Sequence, residues 1–150
     1  MIKNIFLAYC LLSITQVLSK MPIQNEMVSL KSECINVRVG PGKEYPITYR
    51  YRKKGYPVKV IAVFGTWRKV RDKDGDEGWI SSRFISNKQT TIIMKNTVLY
   101  TKPSSDSTKL AGVEAGVVAE VAEICNGFIR IKLNYKSGWV KEQDVWRDKK

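Results

Sequence analysis

Gly55-Tyr56-Pro57-Val58-Lys59-Val60, followed shortly by Gly65-Thr66-Trp67-Arg68-Lys69-Val70, reads as strand, turn, strand. Val58, Val60 and Ala62 recur at every second position, and Trp67, Lys69 and Arg71 face away from Arg68 and Val70. Such alternation marks half-buried strands rather than an amphipathic helix. The pattern returns 61 residues later, where Gly116, Val121, Ile124, Phe128 and Ile131 match Gly55, Val60, Val63, Trp67 and Val70. The offset becomes 62 between Pro41 and Pro103, and 60 between Gly78-Trp79-Ile80 and Gly138-Trp139-Val140. Length changes of one residue thus fall where turns are expected, and the chain holds two copies of one unit.

Working outward, the first copy spans Val28 to Ser86, a linker covers 87–91, and the second copy runs from Ile92 to Trp146, leaving a leader at 20–27 and a tail at 147–150. Turn chemistry separates the strands at Gly40-Pro41-Gly42, Gly65-Thr66, Asp74-Gly75, Pro103-Ser104-Ser105 and Asn126-Gly127, the last being the strongest hairpin signal. Four or five strands in roughly sixty residues, with no amphipathic helix, predict a small, partly open barrel. The fold class is all-β, with two such barrels in tandem.

The 150 residues carry 26 Lys and Arg against 14 Asp and Glu, a net charge of +12, and no histidine. Lack of histidine excludes Ser-His and Cys-His catalysis, histidine zinc sites and a histidine pH switch. Met1 to Ser19 has a basic start at Lys3 and an apolar stretch from Ile5 to Leu12, too short to span a bilayer; this predicts a secretory signal cleaved after Ser19. The alternative is an amino-terminal helix packed on the domain. Leu7-Ala8-Tyr9-Cys10 approaches a lipoprotein cleavage pattern, but bulky Tyr9 argues against lipidation. No later stretch is apolar enough to cross a membrane, so the mature chain is expected to be periplasmic or secreted. It would retain Cys34 and Cys125; an oxidising compartment permits a bridge between them, and two separate buried thiols are the alternative.

Asn36-Val37-Arg38-Val39-Gly40-Pro41-Gly42, Gly55 to Val60, Gly65 to Val70 and Glu77-Gly78-Trp79-Ile80 resemble successive blocks of the bacterial SH3-like (SH3b) domain, in order and spacing. The resemblance is closest to exported two-copy proteins common among alphaproteobacteria. It is eroded in the second copy, where Thr97 to Pro103 replaces the Asn-Val-Arg and Gly-Pro-Gly elements. It implies a cell-wall association, which similar domains provide when attached to hydrolases.

Candidate ligand-binding residues lie in the first copy: Arg38, Tyr45, Tyr49, Arg50, Tyr51, Arg52, Trp67 and Trp79. Tyr49 and Tyr51 share one face of a strand and Arg50 and Arg52 the other, which predicts aromatic walls with a basic rim; a solvated basic edge strand is the competing reading. Trp67, after a turn and beside Arg68 and Lys69, is read either as core or as groove wall. Trp79 is read as half-core with its indole N–H near the surface, or as a stacking platform. Asn36 is expected to bond the backbone of the following loop. Asp72 to Glu77 alternates carboxylates with a glycine but lacks the full calcium-loop pattern, and an Asp-Gly hairpin accounts for it. No metal site, catalytic residue or cofactor is therefore expected.

The expected function is a non-enzymatic, exported binding module of the cell envelope that contacts peptidoglycan or an envelope protein. A secreted, effector-like module that binds an acidic protein surface is the alternative. Nucleic-acid binding would suit a basic barrel with aromatics, but export contradicts it, so none is expected.

Overall fold

The computed structural model describes residues 24–147. The signal read at 1–19 and most of the leader lie outside the described residues. Strands β1 (Met27–Leu30), β2 (Ile35–Arg38), β3 (Ile47–Tyr51), β4 (Pro57–Phe64), β5 (Trp67–Arg71), β6 (Glu77–Ser81) and β7 (Ile85–Ser86) form one sheet in the order β3-β2-β6-β5-β4-β1-β7. Strands β8 (Thr90–Ile93), β9 (Thr97–Tyr100), β10 (Lys109–Val113), β11 (Val118–Cys125), β12 (Phe128–Lys132), β13 (Ser137–Lys141) and β14 (Val145–Trp146) form a second, ordered β10-β9-β13-β12-β11-β8-β14. The two orders are the same order shifted by seven strands. In each copy a single 3-10 turn, Ser82–Phe84 or Glu142–Asp144, leads into the last strand.

The chain is all-β and consists of two tandem SH3-like barrels. Seven strands per sheet exceed the expected four or five, partly because β7 and β14 are two-residue strands too short to carry a periodic pattern. Thr90 and Thr91, read as linker, already pair with Glu120 and Ala119 as part of β8.

Each barrel closes on its own core. Val28, Leu30, Val37, Val58, Val60, Val70 and Ile80 are buried in the first, and Ile93, Leu99, Ile129, Ile131 and Val140 in the second. Both long central strands slip register at the same place, between Val60 and Ala62 and between Val121 and Glu123. A bulge there bends the strand and lets one sheet curl over its own core. Asn126 and Gly127 both have positive φ, 50° and 74°, as a tight two-residue hairpin requires.

Candidate functional site

Alternation along β5 buries Arg68 and Val70 and turns Trp67, Lys69 and Arg71 outward. Trp67, half-buried, therefore stands on the outer face, opposite Ser81 on β6 and Phe64 on β4. The β2–β3 loop rises beside it, and the space between is a groove of about 530 Å³. Its walls are Pro41 to Glu44 on one side, Phe64 to Trp67 on the other, and Ser81 and Arg83 at the end. Trp67 thus serves as a groove wall.

Arg38 and Tyr45 shape this groove rather than lining it. The Arg38 guanidinium donates to the Tyr45 carbonyl at 2.7 Å, drawing the β2–β3 loop closed. Gly40 lies under the Tyr45 ring, where a Cβ would collide with ring carbons, so glycine is what permits the loop to fold down. From the interior, Arg68 fastens the opposite wall. Only 2% exposed, it donates from Nη1 to the carbonyls of Gly65 and Trp67 at 2.8 and 2.9 Å. Its burial follows the alternation that puts Arg68 on the face of Val70.

The tyrosines expected to wall a basic groove are gathered elsewhere. Tyr51 is buried; its ring meets Tyr49 edge-on at 5.4 Å and stacks on Tyr56 at 5.5 Å. Its hydroxyl donates to Asp72 Oδ2 at 3.3 Å. Asp72 Oδ1 also accepts the amides of Asp74 and Asp76, each at 3.0 Å, so this carboxylate ties the β5–β6 hairpin to the tyrosine cluster. Tyr51 is therefore a core residue and not a groove wall. The reason is reach: at the end of edge strand β3, the chain curls inward and its ring meets a hairpin 21 residues away in sequence. Arg50, on the opposite face, donates to Asn36 Oδ1 at 2.7 Å, so Asn36 bonds a cross-strand side chain and not the loop backbone. Arg52 is exposed beside Lys53 and Lys54, away from the groove.

Two predictions arise from this cluster. Asp72→Ala leaves a hydroxyl and two amides without their acceptor and is expected to cost about 2–3 kcal/mol, with Asp72→Asn recovering part of the loss, as read from urea midpoints. Burial, with the Asp72 charge adding to it, pushes the Tyr56 hydroxyl up to about 12; burial likewise raises Tyr49 and, most strongly, Tyr51. The folded state thus holds these protons more tightly than the unfolded chain. The associated stability is complete below the ordinary tyrosine value near pH 10 and is lost as pH rises above it. Wild type should lose stability progressively above that pH, and Tyr51→Phe should flatten the slope by up to about 1.4 kcal/mol per pH unit.

Trp79 sits on the same outer face as Trp67, half-buried, with Arg38 and Lys69 as its cross-strand neighbours. Lys69 and Arg71 are both engaged by Glu77, whose carboxyl is lowered by the Arg71 and then the Lys69 hydrogen bonds. The second barrel repeats this architecture with different chemistry. Tyr100 replaces Arg38 beside Trp139, Tyr100 and Phe128 meet edge-on at 6.1 Å, and Trp139 is only 8% exposed. An equivalent groove of about 590 Å³ remains, but Phe128, Ser105 and Gln143 line it where the first has Trp67, Lys43 and Arg83. Its loop is pinned by Ser107, whose hydroxyl donates to the Ser104 carbonyl at 2.8 Å, in place of the arginine. Thirteen Lys and Arg face six acids in Val28 to Ser86, against seven and six in Ile92 to Trp146, so the basic charge belongs mainly to the first copy.

Phe64 and Arg83 were missed by sequence reading. Val63-Phe64 breaks the alternation just before a turn, and that break is the signal: both are exposed, Phe64 by 64%. Cys34 and Cys125 are free; Cys34 is exposed and Cys125 half-buried, so neither the bridge nor the pair of buried thiols is formed. Among the described residues no group of three His, Cys, Asp or Glu is placed to hold a metal ion.

The chain matches the bacterial SH3 domain family twice, over residues 31–87 and 94–147. It is 28% identical over 134 residues to a Bacillus subtilis (strain 168) protein, YrvJ, provisionally named an N-acetylmuramoyl-L-alanine amidase. That match takes in 81% of this chain but 26% of the relative, so the chain spans about a quarter of its length. Among solved structures it is similar to NlpC2 from Trichomonas vaginalis (18% identity, TM-score 0.39, 83% of this chain and 49% of that one). It is also similar to an NlpC/P60 family protein from Bacillus cereus ATCC 10987 (14%, TM-score 0.38, 81% and 56%). With both barrels matched in order, the chain belongs to the bacterial SH3 domain family.

Proposed function

We propose that this protein is an exported, non-enzymatic binding module of the cell envelope, and that the first-barrel groove holds a segment of peptidoglycan. The observation that carries this reading is the groove's composition. Trp67 and Phe64 offer flat apolar faces for sugar or side-chain CH groups, while Lys43 and Arg83 offer cations for free carboxylates. A glycan cross-linked by acidic peptides presents both. Membership of the bacterial SH3 family and likeness to a relative named for N-acetylmuramoyl-L-alanine add support. The periplasmic or secreted location rests on the signal read at 1–19; among the described residues no helix is long and apolar enough to cross a membrane.

A second reading, a secreted module that docks on an acidic protein surface, is favoured by the exposed Val63-Phe64 tip beside that basic groove. Co-sedimentation of the purified protein with insoluble peptidoglycan across a salt series separates the two. Retention that persists at moderate salt supports the wall reading. Retention abolished by salt would mean charge alone, and no retention would leave the protein-docking reading.

A further inference from the structure

The two barrels meet through contacts aimed at backbone. Thr90 Oγ1 donates to the Gly55 carbonyl and Lys53 Nζ to the Gly116 carbonyl, both at 2.7 Å, and Gln89 Nε2 donates to the Met27 carbonyl at 3.2 Å. Beside this junction lies a cleft of about 920 Å³. Lys31 and Lys54 reach it from the first barrel, Lys88 from the linker and Lys132 from the second barrel, against one acid, Glu120. Lys88 Nζ neutralises Glu120 at 2.7 Å. Lys31, Lys54 and Lys132 form no ion pair among the described residues.

Four ammonium groups against one carboxylate leave a net positive charge on this concave surface, even with Lys132 across the ladder from Glu120 and helping to lower its carboxyl, and so focus positive potential into it. We infer that this inter-barrel cleft is a second binding site, selective for free, multiply charged oxyanions, of which a phosphate chain is the simplest form. Lysine acts as a compact point charge without the planar fork of arginine, so charge density rather than carboxylate geometry governs selection. Neither barrel alone assembles the site, which gives the tandem arrangement a role that a single barrel lacks. The site uses no residue of the Trp67 groove.

The test is calorimetric titration of the purified protein with inorganic tripolyphosphate, with tricarballylate as a carboxylate probe and phosphatidylglycerol vesicles as a lipid-borne source of phosphate. Saturable one-site binding of tripolyphosphate is expected, tighter than that of tricarballylate. Lys54→Glu/Lys132→Glu should weaken it about tenfold or more, and Lys102→Glu/Lys109→Glu, an equal charge change outside the cleft, by no more than about twofold. Trp67→Ala should leave it unchanged, so failure here is distinguishable from failure of wall binding. Absence of saturable binding, equal weakening by both double variants, or Lys54/Lys132 dependence confined to the vesicles would overturn the inference.

Discussion

Gly138→Ala is expected to destabilise the second barrel by about 3 kcal/mol, at the upper end of overpacking effects. Strand β13 crosses β9 so closely that a Cβ at position 138 would lie 2.6 Å from Leu99 Cγ and 2.8 Å from the Tyr100 carbonyl oxygen. Leu99 is fully buried and the carbonyl is backbone, so neither yields cheaply. Gly78 occupies the same place in the first barrel, where a Cβ would strike Val37 and come within 3.2 Å of the Arg38 carbonyl. Its nearest backbone contact is looser, and Gly78→Ala should cost about 1–2 kcal/mol. Gly112→Ala on β10 is the control: nothing lies within 4 Å of its added Cβ and its φ is not positive, so the urea midpoint should hardly move. For barrels this small a loss of 3 kcal/mol is a large share of the total, and an unchanged midpoint for Gly138→Ala would contradict the close crossing.

That crossing explains why Gly precedes Trp in both copies, a motif legible in sequence whose cause was not. The strands and turns were legible because both are local. Alternation in Val58 to Ala62 reports one buried face, and Gly65, Gly75 and Gly127 all have the positive φ that tight turns require. Pairs distant in sequence were not legible. Nothing near Tyr51 announces that its hydroxyl meets Asp72. The groove was half visible for the same reason. Trp67 was singled out from its turn, whereas Phe64, Lys43 and Arg83 join it only once three separate segments converge.

The second large effect concerns binding. Peptidoglycan is assigned to the first-barrel groove, which offers Lys43 and Arg83; the second groove offers one cation, Lys141, beside Glu142. Trp67 supplies the largest apolar face, and truncating an aromatic anchor of this kind costs about 2 kcal/mol or more. Trp67→Ala should therefore weaken retention about 30-fold. Lys43→Glu/Arg83→Glu should weaken it comparably while leaving the indole in place, so that a loss cannot be laid to misfolding of the tryptophan variant. Phe128→Ala, the matching change in the second groove, should alter retention by no more than about twofold once its fold is verified. The most direct measurement is the apparent affinity of wild type and these three variants for insoluble peptidoglycan at moderate salt, each first shown to unfold cooperatively in urea. Selective loss in Trp67→Ala and Lys43→Glu/Arg83→Glu is the predicted result. Equal retention by Trp67→Ala and wild type, or a greater loss in Phe128→Ala, would contradict the assignment.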